Sequence, residues 1–145
     1  LGASFGMVQL EKLDQNIASR QANFERQCKF FNNYPDYFLN PQETFGCNTA
    51  WLAFPILIKD SAPFTRKEFQ IFLEKRNIQT RVVFTGNILR QPMCQNISKK
   101  VLKEGYPNAD RVMAKGVLLP LHHGMTESMF NRLHATIDRF IEQYD

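Results

Sequence analysis

The sequence predicts an α+β layer, three or four mostly antiparallel strands backed by helices, opened by a long N-terminal helix. Three observations carry that expectation. Leu10, Leu13, Ile17, Phe24, Cys28 and Phe31 recur at steps of three, four or seven, with no proline before Pro35. Short apolar segments at 49–59, 80–84 and 117–121 read as strands, and the links between elements include short ones of antiparallel style. Phe130, Leu133, Ile137, Phe140, Ile141 and Tyr144 draw the stripe of a last helix, with Thr126 as its cap.

Taken in order, the opening turns differ from the rest of the first helix. Leu1, Ala3, Phe5, Met7 and Val8 are apolar on several sides, and Gly2 and Gly6 stand four apart. A helix apolar all round is normally buried, so these turns are expected to pack against something beyond a 145-residue domain, fraying of the end being the alternative. Residues 34–47 form a connector with a short strand at Tyr37-Phe38-Leu39. The 49–59 segment is apolar on both alternating faces, as in a strand covered on both sides, while Pro55 within it points to an edge or a bulge. Thr65 and Glu68 have capping-box spacing, and Phe69, Phe72 and Leu73 give a second helix its buried face, running to about Arg76. Pro107-Asn108-Ala109-Asp110 starts a short helix that Gly116 ends.

Bulk properties bound the function. A chain of 145 residues is enough for one domain with a real core. Hydrophobic content of 43% beside 22% charged residues marks a globular chain rather than a disordered one. A net charge of +4 favours anionic partners, but the basic residues are scattered and no long basic arm exists. Cys28, Cys47 and Cys94 are odd in number and lack CxxC spacing, which argues against a disulfide framework or a self-contained zinc or iron–sulfur site and for a reducing, cytoplasmic setting. No apolar run approaches the roughly 20 residues a membrane helix needs.

The most informative stretch is 80–92. Val82, Val83 and Phe84 make a short strand after a helix-ending Asn77, the chain turns sharply at Gly86-Asn87, and Arg90, Gln91 and Pro92 follow. Arg81, Asn87 and Arg90 thereby offer planar donors suited to phosphate, carboxylate or sugar oxygens, where a plain solvated loop is the alternative. Elsewhere the signals are weaker. Adjacent histidines in a strand point to opposite faces, so His122 and His123 do not share an ion without a bend. His134 is placed on the polar side of the last helix. No GxSxG, P-loop or GxGxxG pattern occurs, and no catalytic set is complete.

Certain residues resemble a known family. Gly2-Ala3, then Gly6-Met7-Val8-Gln9-Leu10-Glu11-Lys12-Leu13, Arg20 and Phe24 are similar to the helix that opens the C-terminal domain of the DegT/DnrJ/EryC1/StrS sugar aminotransferases. Phe84-Thr85-Gly86-Asn87-Ile88-Leu89-Arg90-Gln91-Pro92, Asn108-Ala109-Asp110-Arg111-Val112-Met113 and Gly124-Met125-Thr126 resemble its nucleotide-sugar 3-dehydrase branch in order and spacing. One departure is His122-His123, where close dehydrases carry an aromatic and a proline. The resemblance implies that residues 1–145 are a single C-terminal small domain of a fold-type I enzyme acting on a nucleotide-linked 4-keto-6-deoxy sugar. It implies pyridoxal phosphate or pyridoxamine phosphate held by a large domain outside these residues, an inactive isolated domain, and a homodimeric parent enzyme. It also places Arg81, Asn87 and Arg90 on the substrate side of the cleft between domains. The rival reading is a free-standing basic module for a phosphorylated ligand or RNA, but none of the three strands has the aromatic-rich pattern of an RNA-recognition sheet.

Overall fold

The computed structural model describes residues 2–144. Leu1, counted above among the apolar opening turns, and Asp145 lie outside them. The described residues form five α-helices and one four-stranded sheet. The strands β1 (Phe38–Leu39), β2 (Phe54–Ile58), β3 (Arg81–Val82) and β4 (Gly116–Leu119) lie in the order β1-β2-β4-β3, and every neighbouring pair is antiparallel. The expected α+β layer is what is found.

Alternation along β2 builds the core. Phe54, Ile56 and Ile58 are buried, while Pro55 and Leu57 on the other face are half-buried. Across the ladder Phe54 faces Leu119 and Ile56 faces Val117, so one sheet face is continuously apolar. Against it pack Phe31 of α2 (Leu13–Phe31), Phe69 and Leu73 of α3 (Arg66–Glu74), and Leu133, Ile137, Phe140 and Ile141 of α5 (Glu127–Ile141). Burying each such side chain stabilises the fold by about 1.5–3 kcal/mol. Helices α3 and α5 start where their caps dictate. Thr65 and Glu68 exchange the two bonds of a capping box, and the Thr126 hydroxyl accepts from the Met129 amide at 3.3 Å.

Five expectations need correction. The first helix is two: α1 (Gly2–Glu11) and α2 meet at Lys12, where the Lys12 amide turns back to the Gln9 carbonyl in a tighter i−3 bond. No glycine or proline marks that step. The 49–59 strand is ordered as strand only at Phe54–Ile58, and the strand that begins at Thr80 is reduced to Arg81–Val82, leaving Phe84 91% exposed. Pro55 is in an interior strand rather than an edge one, and it is tolerated because the β1 register on that side ends at Leu57. His134 is half-buried, stacked on Phe30 with ring centroids 3.9 Å apart and bonded to Gln27 Oε1 at 2.9 Å. Its surroundings come from α2, which the pattern within α5 does not reveal.

All of α1 is exposed, with Phe5 at 68% and Leu10 at 69%. The apolar opening turns are therefore helical and uncovered in the single chain.

Candidate ligand-binding site

The path of the chain from α3 explains how the 80–92 stretch is held. Asn77 takes a left-handed conformation at φ 59°, which lets Ile78 turn inward and become buried. Thr80 is then clamped to the helix: its amide and hydroxyl both donate to Glu74 Oε1, at 2.5 and 2.9 Å, and its hydroxyl accepts from Gln70 at 3.0 Å. That fixes where β3 starts. Beyond β3 the corner at Gly86 adopts φ 72° and lies directly against Met113 of α4 (Pro107–Lys115). Two single 3₁₀ turns follow, Ile88–Arg90 and Pro92–Cys94, and the Asn87 side-chain oxygen starts the first by accepting from the Leu89 amide at 3.0 Å.

Arg90 and Asn87 meet at one carboxylate. Arg90 Nε and Nη2 donate to the two oxygens of Asp110, each at 2.9 Å, and Asn87 Nδ2 donates to Asp110 Oδ1 at 2.8 Å. Asp110 stands in the first turn of α4, where the helix dipole also favours a negative charge. The hydrogen bond from Arg90, then that from Asn87, hold its carboxyl well below the usual range, at about 2. Asn87 is buried and has both ends of its amide engaged, whereas the Arg90 side chain is 64% exposed and keeps Nη1 outside the pair. Both residues line an open hollow of about 350 Å³ with Lys99, Tyr106 and Asp110. The positive charge that Arg90 brings to the corner is thus balanced by Asp110. Asp110, read from the sequence only as part of a helix start, is the residue that the loop is built on.

Arg81 lies elsewhere. It is exposed on β3 and lines a separate hollow with Leu52, Gln79, Leu118 and His122. Asn87 and Arg90 are brought together, and Arg81 is not among the residues of their hollow. His122 and His123 have ring centroids 6.4 Å apart at 84°, and His122 Nδ1 accepts from the Gly124 amide at 3.1 Å. The described residues contain no group of three or more His, Cys, Asp or Glu able to hold a metal ion. Lys99, missed as a site residue, was visible in sequence only as half of the Lys99-Lys100 doublet. Its amine donates to the Cys94 carbonyl.

The described residues do not make a cradle for pyridoxal phosphate. Such a group needs an amine or imidazole in an enclosed pocket and a dense set of donors for its phosphate. The two half-buried lysines are engaged, Lys59 with the Pro35 carbonyl at 2.5 Å and Lys115 with Asp60, while the remaining lysines are exposed. His134 has its Nε2 bonded to Gln27 in the helical layer.

The sequence and the fold are similar to those of known proteins. The model of the DegT/DnrJ/EryC1/StrS aminotransferase family matches residues 1–138. The lipopolysaccharide biosynthesis protein RfbH of Salmonella typhimurium is 28% identical over 138 residues, 95% of this chain and 31% of that protein. A dTDP-4-dehydro-2,6-dideoxy-D-glucose 3-dehydratase of Saccharopolyspora spinosa is 30% identical over 141 residues, 97% of this chain and 30% of its own length. Among solved structures, the GDP-4-keto-6-deoxy-D-mannose-3-dehydratase of E. coli with bound hydrated PLP superposes with a TM-score of 0.80 at 25% identity, covering 90% of this chain and 33% of that one. The chain spans about a third of the length of the relatives it matches. With its family model matched over nearly all of its residues, the chain belongs to the DegT/DnrJ/EryC1/StrS aminotransferase family.

Proposed function

We propose that the chain is the small domain of a pyridoxal phosphate-dependent enzyme that acts on a nucleotide-linked 4-keto-6-deoxy sugar, by 3-dehydration or transamination, in deoxysugar or surface-polysaccharide biosynthesis. The carrying observation is the loop itself. The Phe84–Pro92 sequence, which resembles that of the 3-dehydrase branch, folds into a corner that ends in an exposed guanidinium edge beside an open hollow. The cofactor supplies the electron sink for chemistry at the sugar, and residues outside this chain hold it. The homodimer expected of the parent enzyme belongs to the same reading.

Within that enzyme Arg90 orients the nucleotide sugar through a phosphate or sugar oxygen, and Asn87 keeps the loop in shape for it. Arg81 either helps from its separate hollow or serves the strand. Anchoring a part of the substrate remote from the reacting carbons uses binding energy to align those carbons. Arg90→Ala in the enzyme that contains this domain should lower kcat/KM by about ten- to a hundred-fold. Its melting temperature should fall only slightly, because the ion pair that it makes with Asp110 is exposed. Unchanged kinetics would remove Arg90 from the site, and a collapsed melt would make its role structural. The binding-module alternative predicts instead that the isolated chain binds RNA or a phosphorylated ligand on its own.

A further inference from the structure

The geometry points to Asp110 as the positioning residue of the site: it sets the plane of the Arg90 guanidinium and leaves the Nη1 edge as the face that meets a ligand oxygen. The inference rests on the reading that Arg90 contacts substrate, and it adds what holds Arg90 in place. An arginine has several rotatable bonds, and an exposed one loses that freedom on binding unless something has already restricted it. Here the restriction is twofold. Asp110 takes Nε and Nη2 together, both at 2.9 Å, which fixes the plane and not merely the distance. Asn87 donates to the same carboxylate at 2.8 Å while its oxygen holds the Leu89 amide, so the loop and the guanidinium share one reference point.

The reference point is itself rigid. Asp110 is in the first turn of α4, and Met113, one turn further along the same helix, touches the corner at Gly86. Carboxylate, corner and arginine are thus registered on one helix. The pairing has a second consequence. With its charge balanced by Asp110, Arg90 recruits a ligand by direction rather than by net charge, so a correctly placed single oxygen is preferred over an anion approaching from any side.

A double-mutant cycle in the enzyme containing this domain tests the proposal, read as kcat and KM for the nucleotide sugar beside a thermal melt. Asp110→Asn keeps the shape and removes the charge and one acceptor. It should raise KM about ten-fold with kcat within about two-fold. In an Arg90→Ala background it should add almost nothing, because it acts through Arg90. Asp110→Glu keeps the charge but displaces the guanidinium by one methylene, so KM should rise several-fold while the melt stays native. A KM that is unchanged or lower in Asp110→Glu overturns the proposal, whether or not Asp110→Asn folds. So does an additive loss in the double variant, which would make Asp110 a structural residue or a separate contact. If Arg90→Ala itself leaves kinetics intact, the reading of the site falls first and the proposal with it, a different pattern from the failure of Asp110 alone.

Discussion

Gly86 and Met113 are in a contact that admits no side chain at position 86. A Cβ built there would stand 2.3 Å from Met113 Cβ and 2.6 Å from its Cα, and the backbone is at φ 72° besides. Gly86→Ala therefore meets both a left-handed conformation and the wall of a helix. The expected loss of stability is about 1–3 kcal/mol for the backbone alone, with the clash added to it. Denaturant unfolding measures it. A loss under about 0.5 kcal/mol would mean that the corner slides off α4, which would also undo the registration of Arg90.

How much of this was legible in the sequence depends on the range of each interaction. Thr65 with Glu68, Thr126 with its helix, and the Phe130 to Ile141 stripe follow rules that act within one or two turns, and all three stand in the structure. Gly86 was readable for the same reason, as a residue that accepts positive φ, whereas Asn87, read with it as part of the turn, is extended at φ −89°. Asp110 was not readable as the partner of Arg90, because the pair is 20 residues apart and nothing in either segment names the other. His134 was misplaced by a similar limit. Its polar position on α5 is real, but Gln27 and Phe30 reach it from α2, more than a hundred positions away. The stripe of the first helix shows the limit most plainly, since periodicity says which side is apolar and not what covers it.

His134 gives stability a pH dependence with a definite sign. Burial, then the nearby Arg26 charge, push its imidazole down to about 4 against the nearby Asp138, whereas an unfolded histidine titrates near 6.5. The unfolded chain thus takes up a proton that the folded chain refuses. Stability present above about pH 6.5 is lost as the pH falls toward 4, and the melting temperature should be lower at pH 5 than at pH 7. Asp110 acts later: its folded value of about 2 against about 3.9 unfolded makes its contribution fade only below about pH 4. His134→Phe keeps the stack on Phe30 but leaves the buried Gln27 oxygen without this donor, at about 1–3 kcal/mol. It should melt lower at pH 7 and show a flatter slope from 7 to 5. An unchanged slope would assign the dependence to other groups.

The capping box offers a cleaner local test. Thr65→Ala removes the hydroxyl that the Glu68 amide donates to at 3.2 Å, and should cost about 1 kcal/mol. Thr65→Ser, which keeps a hydroxyl that can accept from the Glu68 amide and donate to the Glu68 carboxylate, should restore most of it. If both variants match the native chain in denaturant unfolding, the cap contributes nothing to α3.

The 145-residue chain mixed with pyridoxal phosphate should give no stoichiometric absorbance that survives dialysis, because its half-buried lysines are already engaged. Retention of one equivalent, trapped by borohydride at a single lysine, would contradict the placement of the cofactor outside these residues.

Phe31 and Leu10 stand toward opposite ends of one apolar stripe in the sequence. Phe31 is 1% exposed, seated against Phe38 and Phe54, while Leu10, on the same sequence stripe but in α1, is 69% exposed. Sequence periodicity treats the two alike, and packing does not. Phe31→Ala should cost about 3–5 kcal/mol, from lost transfer energy and the cavity left among rigid neighbours. Leu10→Ala should change the stability of the chain by less than about 0.5 kcal/mol, since it removes surface already in water. Chemical denaturation of both variants, at two protein concentrations, is the measurement. A Leu10→Ala loss that approaches that of Phe31→Ala and grows with concentration would show α1 covered by another copy in solution. A small loss independent of concentration leaves those turns uncovered in the isolated chain, as the structure has them.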